Sequence, residues 1–239
     1  MITLYNELLY KPLFNALIFI YNVLPGADMG LAIIFLTILI RLLLYPLSKK
    51  TVVSQMALKE IQPQILEIQR KYKDNKQEQA KATMALYQEK KINPFSGCLP
   101  ILIQFPILIA LYQVFLGGFD PANFKELYSF ISTPSFVNPL FLGLINLSQP
   151  NLIFAVLAGV SQFFQTRMVI PAKPAGAGPA GDKGAFSQML NQQMLYFMPI
   201  FTIFIASRFP AALALYWTIT NAFSIGQQYI FTKHAKKIN

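Results

Sequence analysis

The sequence predicts an all-α membrane protein with five transmembrane helices in a bundle, a cytoplasmic helical hairpin and an N-terminal interfacial amphipathic helix. Three observations predict this fold class. Hydrophobic residues make up 54% of the chain and charged residues 13%, with a mean hydropathy of +0.45, as is typical of membrane proteins. The chain contains five long apolar runs, and its Lys and Arg residues lie mainly on one side of them. Residues 1–239 therefore form one helical domain.

The N-terminal segment, residues 1–28, is the first element. Its apolar stretch, 13–24, is shorter than the roughly 20 residues that a transmembrane helix needs. It has neither the basic region nor the small-residue cleavage site of a secretory signal. We expect an external amphipathic helix in the membrane interface, and the alternative is a sixth span.

Five apolar runs follow, and each is expected to cross the membrane. The predicted spans are 29–47, 98–119, 152–170, 194–209 and 211–231. The segments between and after them are a cytoplasmic hairpin, an external loop, a cytoplasmic flexible loop and a basic tail. These segments are 48–97, 120–151, 171–193 and 232–239.

The distribution of Lys and Arg predicts the orientation. The stretches 48–97, 167–193 and 232–239 hold sixteen of the 20 Lys and Arg residues, and the opposite side holds three. Because positive charge concentrates on the cytoplasmic side of membrane proteins, we expect the N-terminus outside and the C-terminus inside. Five spans require the same arrangement.

The cytoplasmic segment 48–97 is expected to be more than a linker. Apolar residues recur every three to five positions along two arms, as in amphipathic helices. They are Val53, Met56, Ile61, Ile65, Ile68 and Tyr72, then Ala80, Met84 and Tyr87. The polar stretch 73–76 predicts a turn between two antiparallel helices, and Pro63 predicts a kink or a helix restart. The loop 171–193, rich in Pro, Gly and Ala, is expected to be a flexible tether.

Arg41 is the most informative residue within a span. It lies about 3 Å from the midpoint of the apolar run 31–47, at a rise of 1.5 Å per residue. A cation at that depth costs roughly 2.5–3.5 kcal/mol on insertion scales. No Asp or Glu occurs in the five spans. We therefore expect Arg41 to face water, polar groups of other helices or a ligand from outside.

Other polar side chains gather toward the inner ends of the spans. One interpretation is ordinary hydrogen bonding between helices, at about 0.6 kcal/mol each. The other is a wet cavity that opens to the cytoplasm and is closed to the outside, which the unpaired Arg41 favours. The candidate site residues are Arg41, Thr37 one turn before it, Gln104, Gln162, Gln165, Thr218 and Asn221. Tyr216 and Trp217 mark either a face for a bound helix, an interfacial belt or core packing.

Four sections of the chain, in order, resemble the YidC/Oxa/Alb family of membrane protein insertases. They are LTILIRLLLYPL at 36–47, IQPQI at 61–65 with KYK at 71–73, NPFSGCLP at 93–100 with QFP at 104–106, and LYW at 215–217 with Asn221, Gln227 and Gln228. The resemblance implies a five-helix core with a hydrophilic groove open to cytoplasm and lipid. It also implies that Arg41 is the groove's cation, with Thr37 beside it, and that the hairpin is a mobile recruiting element.

The implied function is that of an insertase and chaperone in the bacterial inner membrane. Its partners would be nascent membrane proteins and the lipid bilayer, with no cofactor, metal or small-molecule substrate. Contacts with the Sec translocon or the ribosome stay open. Release of the substrate's helix into lipid is expected along the face near Tyr216 and Trp217.

Three other classes of protein fit the sequence less well. A transporter or channel predicts repeated halves, and the sequence has no internal repeat. An intramembrane protease needs paired Asp residues, a Ser–His or Ser–Lys pair or a metal motif. The spans contain no Asp or Lys, and the one histidine, His234, is in the tail, so no enzymatic activity is expected. A purely structural subunit would tolerate replacement of Arg41 by Ala.

Overall fold

The computed structural model describes residues 2–93, 99–117, 120–170 and 193–235. Apart from one two-stranded hairpin, its regular elements are helices, as the predicted all-α class requires. The predicted tether lies outside the described residues except for Gln193. Residues 236–239 of the predicted basic tail lie outside them too.

The N-terminal helix α1 covers residues 2–23, with a π-helical turn at Asn6–Tyr10 followed by Lys11–Val23. One face is buried in the core through Phe14, Leu17, Ile18 and Tyr21. Asn15 is buried as well, and its Oδ1 accepts a hydrogen bond of 2.6 Å from the backbone N–H of Tyr128. Helix α1 therefore packs on the bundle through this face, and Asn15 links it to the segment around Tyr128.

Helix α2, Met29–Leu43, ends four residues before the end of the predicted span at 47. Helix α3, Tyr45–Glu60, follows at once, and the two axes meet at 68°. Pro46 explains the difference. Proline has no N–H for a helix interior but fits the first turn of a new helix, which is its position in α3.

The cytoplasmic segment forms three helices instead of two: α3, then α4 at Gln62–Lys71 and α5 at Lys76–Glu89. The restart predicted at Pro63 is present, because α4 begins there. The arms pack through a small cluster of their own. Its buried members are Ile61, Ile65 and Leu86, with Ile68, Tyr87 and Ile92 against them. Val53 and Met84, which were expected to pack inside, are exposed, so the contact between the arms is shorter than their apolar pattern indicated.

Helix α6, Leu99–Gly117, contains Pro106 and leads into an irregular connection. The connection holds a 3₁₀ turn, Pro121–Glu126, and an antiparallel hairpin of β1, Leu140–Phe141, and β2, Ile145–Asn146. The hairpin lies on the first turn of α2. A Cβ atom added at Gly30 would be 2.1 Å from Phe141 Cδ2, so the close approach depends on glycine.

The last three helices are α7, Leu152–Val169, α8, residues 193–206, and α9, Ala211–Ala235. Helix α8 ends three residues before the predicted boundary at 209, and α9 extends four residues beyond 231. Helix α8 opens with a π-helical turn, and Pro199 follows in the first turn of its α-helical part. Helices α7 and α8 pack closely because Gly159 has no side chain; a Cβ there would be 2.3 Å from Ile203 Cγ1.

The start of α9 is held by the connection before α7. The N–H groups of Ala211 and Ala212 donate to the carbonyls of Gln149 and Leu147 at 2.9 and 3.0 Å. Helix N-termini leave four N–H groups without partners inside the helix, and these two are satisfied by the loop.

Among the described residues, α7 is the helix that is long and apolar enough by itself to cross a bilayer. The bent pair α2–α3 would be a second if it counted as one span. The apolar parts described for α6 and α8, residues 104–117 and 193–206, are shorter. Helix length alone therefore does not establish five spans.

Candidate polar groove

A partly open cavity of ≈ 390 Å³ lies between α2, α3, α6, α7 and α9. Its walls are mixed, with polar side chains from every one of these helices. The lining residues that were predicted as site residues are Arg41, Gln104, Gln162, Gln165, Trp217 and Asn221.

Four helices change from apolar core to cavity wall along their length. The buried apolar stretches fall within 29–40 of α2, 110–115 of α6, 154–158 of α7 and 211–216 of α9. The lining residues lie beyond them, at 41, 104–108, 162–165 and 217–228. The bundle is therefore dry at one end and polar at the other, which is the end where α3 and the hairpin begin.

Arg41 is half-buried and takes part in a chain of hydrogen bonds across three helices. Its Nη2 donates to Gln104 Oε1 at 3.0 Å, and Gln104 Nε2 donates to the hydroxyl of Tyr216. None of the described carboxylates forms an ion pair with Arg41. The charge is thus met by an amide dipole, and a negatively charged group that entered the cavity would find it uncompensated.

The other lining side chains also tie helices together. Asn221 Nδ2 donates to Ser161 Oγ at 3.1 Å, which links α9 to α7. Gln227 Nε2 donates to Ser48 Oγ at 2.7 Å, which links α9 to α3. Gln162 Oε1 accepts from Thr202 on α8 at 2.7 Å. The same residues therefore line the cavity and join the helices by hydrogen bonds.

Three predicted site residues do not line the cavity. Thr37 is 1% exposed, and its hydroxyl donates to the carbonyl of Ile33 at 2.6 Å. The expectation that Thr37 faces the groove beside Arg41 is not met, because a threonine in a helix can satisfy its hydroxyl on the preceding turn. Thr218 does the same with Ala214 at 2.9 Å. Tyr216 is 1% exposed and reaches the site through its hydroxyl alone.

The wall formed by α3 was missed by the sequence analysis. Ser48, Thr51 and Gln55 line the cavity from this helix. Their spacing of three and four residues places them on one face of a helix, and Pro46 was the available signal that a new helix starts there. Thr220 Oγ1, on the opposite wall, is buried without a hydrogen-bond partner among the described residues.

The cavity is lined by hydroxyl and amide side chains and by one cation, Arg41. Among the described residues, no cluster of His, Cys, Asp and Glu could hold a metal ion. To a polar or acidic group, this lining offers hydrogen bonds and the charge of Arg41.

Comparison with known proteins agrees with the sequence resemblance. Residues 19–238 match the family described as 60Kd inner membrane protein. Proteins named "Membrane protein insertase YidC" from Francisella tularensis subsp. novicida, subsp. tularensis and subsp. holarctica are each 36% identical over 205 residues. The alignment covers 86% of this chain and 32% of each relative, so the chain spans about a third of the length of these relatives. Both findings support a bacterial inner membrane location, and the chain belongs to the 60Kd inner membrane protein family, which is the YidC/Oxa family.

Proposed function

We propose that this chain is a membrane protein insertase that receives the hydrophilic segment of a nascent membrane protein in the polar groove and releases its helix into lipid. The observation that supports this proposal best is the cavity at one end of the bundle. Arg41 lies where the apolar core ends and the polar cavity wall begins. The names of the relatives support the same activity.

The membrane arrangement that we propose has α2, α6, α7, α8 and α9 as spans, with the N-terminus outside. The asymmetry of Lys and Arg supports it. Helix α1 would lie in the outer interface, since Asn15 and Tyr21 contact the connection between α6 and α7. The groove then opens toward the cytoplasm, where the hairpin would recruit substrates.

A short path through the hydrocarbon follows from this arrangement. Residues 193–206 of α8 span about 21 Å at 1.5 Å per residue, which is less than the roughly 30 Å of a hydrocarbon core. A short helix thins the bilayer around it at modest cost. A groove that reaches Arg41 and a thinned membrane both shorten the distance that a polar segment must cross without water.

Arg41 would act by attraction, with no covalent step. Two unit charges 4 Å apart attract by about 1 kcal/mol in water and about 4 kcal/mol at the effective dielectric near a protein surface. An acidic residue of the substrate would replace Gln104 as the partner of Arg41. The substrate's helix was expected to leave along the face near Tyr216 and Trp217, but Tyr216 is 1% exposed. We propose that it leaves beside Phe105, which lines the cavity and is 61% exposed. Contacts with the Sec translocon or the ribosome are not needed for this mechanism.

The test is rescue of bacteria depleted of their own insertase, with membrane insertion of single-span substrates as the readout. One substrate has an acidic translocated segment and its matched partner a neutral one. We expect Arg41→Ala to lose insertion of the acidic substrate and Arg41→Lys to keep much of it, because charge matters more than one hydrogen-bond geometry. Arg167→Ala is the control, since Arg167 is exposed at the end of α7 and outside the groove. Equal insertion of both substrates by Arg41→Ala would contradict the attraction mechanism.

A further inference from the structure

The connection between α6 and α7 is unusual in its charge. From 127 to 166 the sequence contains no Asp, Glu, Lys or Arg. This uncharged stretch covers the loop 127–150 and most of the helix that follows it, α7. The cytoplasmic connection 48–97, in contrast, carries ten Lys and Arg residues. A loop surrounded by water has no physical reason to exclude charge, whereas a loop immersed in lipid has one.

Leu144, at the tip of the hairpin, is the most exposed apolar side chain of this loop, and Phe130 and Phe136 are exposed elsewhere in it, at 75% and 69%. Leu142 is 61% exposed and Leu144 is 83% exposed, with Gly143 between them. Leu142 has φ +50°, a backbone conformation that leucine rarely adopts and that turns normally assign to Gly, Asn or Asp. Two leucines thus occupy a turn where polar residues are usual, and both point away from the protein core.

The tip is held firmly by the rest of the bundle. The N–H of Leu142 donates to Asp28 Oδ2 at 2.6 Å, while Asp28 Oδ1 caps the start of α2 by accepting from Leu31 at 2.9 Å. Phe141, just before the tip, contacts Gly30 of α2 and packs against Phe154 of α7, with ring centroids 6.0 Å apart and ring planes tilted by 51°. The hairpin therefore presents its leucines from a fixed platform.

We propose that the hairpin tip, residues 142–144, is inserted among the acyl chains of the outer leaflet. The tip adjoins the first turn of α7 through the contact between Phe141 and Phe154. In that turn Leu152 and Ile153 are exposed, and α7 is the helix that is long and apolar enough to cross the membrane. The apolar outer surface of α7 thus continues onto the tip.

The absence of charge in the loop decides which partner fits. A protein partner is usually recognised through a polar rim as well as an apolar centre, and this loop contributes no charged side chain for such a rim. The one carboxylate that touches the tip, Asp28, is already engaged by the N–H groups of Leu142 and Leu31. An anionic headgroup would have no cation to bind there. The occupant that fits is therefore hydrocarbon, with an affinity that does not depend on headgroup charge. This inference rests on the membrane location and not on insertase activity.

Spin-label accessibility in vesicles tests the proposal. Leu144→Cys and, as the matched control, Lys125→Cys are made in a Cys98→Ser chain and labelled with a nitroxide. Lys125 is exposed in the same connection but carries a charge. The purified full chain is placed in vesicles of phosphatidylcholine, with and without phosphatidylglycerol. Collisions with oxygen, which concentrates in hydrocarbon, are compared with collisions with a water-soluble nickel chelate.

We expect the label at 144 to collide several-fold more with oxygen than with nickel, and the label at 125 to show the opposite. The values at 144 should be the same in both vesicle types, because no charge is involved. If the label at 144 collides with nickel as often as the label at 125, the tip lies in water and the proposal is overturned. This measurement needs no insertion substrate, so failure of the proposed insertase activity would leave its outcome unaffected.

Discussion

Replacement of Gln104 by Glu is the sharpest test of the groove's electrostatics. The side chains have nearly the same shape, so the new carboxylate oxygen would stand where Gln104 Oε1 stands, 3.0 Å from Arg41 Nη2. The hydroxyl of Tyr216, which now accepts from Gln104, can turn and donate instead. We therefore expect the variant to fold with Arg41 neutralised by a permanent internal partner.

The size of the effect follows from that distance. At an effective dielectric of about 20, opposite charges about 3 Å apart attract by about 5.5 kcal/mol. Desolvation of the new carboxylate cancels several kcal/mol of this gain. A net stabilisation of about 1.4–2.8 kcal/mol for the internal pair would lower occupancy of the groove by an acidic substrate segment about 10- to 100-fold.

The assay is reconstituted insertion of the paired acidic and neutral substrates, measured as initial rates in vesicles. Gln165→Glu is the control because Gln165 lines the same cavity and the substitution would add the same charge, but Gln165 accepts a hydrogen bond from Thr166 and has none with Arg41. We expect Gln104→Glu to lower the initial rate of insertion of the acidic substrate at least tenfold more than Gln165→Glu does.

Equal losses in the two variants would refute the reasoning. They would mean that total charge in the cavity matters and that the specific partner of Arg41 does not. A neutral variant, Gln104→Leu, completes the series: it removes the hydrogen bond without neutralising Arg41, so insertion of the acidic substrate should persist.

Two further predictions concern packing and orientation. Gly159→Ala should lower the thermal stability of the purified protein in detergent, because overpacking costs about 1–3 kcal/mol and exceeds the gain of up to about 1 kcal/mol in helix propensity. Gly226→Ala, which has open space around it, should not lower it, and equal shifts in the two variants would contradict the close contact of α7 with α8. In a cysteine-free background, Lys125→Cys should react with an impermeant reagent added to intact cells and Lys76→Cys only after the membrane is opened; the reverse pattern would overturn the proposed topology.

Sequence reasoning reached the helical class and the family, and it singled out Arg41, which lines the cavity in the structure. Hydropathy and the distribution of charge are local properties, so apolar runs and an isolated cation in one of them are visible without coordinates. The resemblance in four ordered sections identified the family that residues 19–238 match. The helix restart at Pro63 was predictable for the same reason, since proline constrains its own backbone wherever it occurs.

The bend after Leu43 was not predicted, because the length of the apolar run was given more weight than the proline within it. The apolar run continues to 47, and this continuity indicated one helix through Pro46. The structure begins a new helix there instead, and the new direction brings Ser48, Thr51 and Gln55 to the groove.

The partners of polar side chains were decided by the tertiary structure alone. A threonine in a span can satisfy its hydroxyl on its own helix, as Thr37 does, or face a cavity, and the sequence is identical in both cases. Which glutamine meets Arg41 depends on how α2 and α6 are positioned against each other, and only the assembled bundle shows that it is Gln104. The sequence by itself determined that a buried cation needed a polar environment, whereas only the assembled bundle determined that Gln104 and Tyr216 provide it.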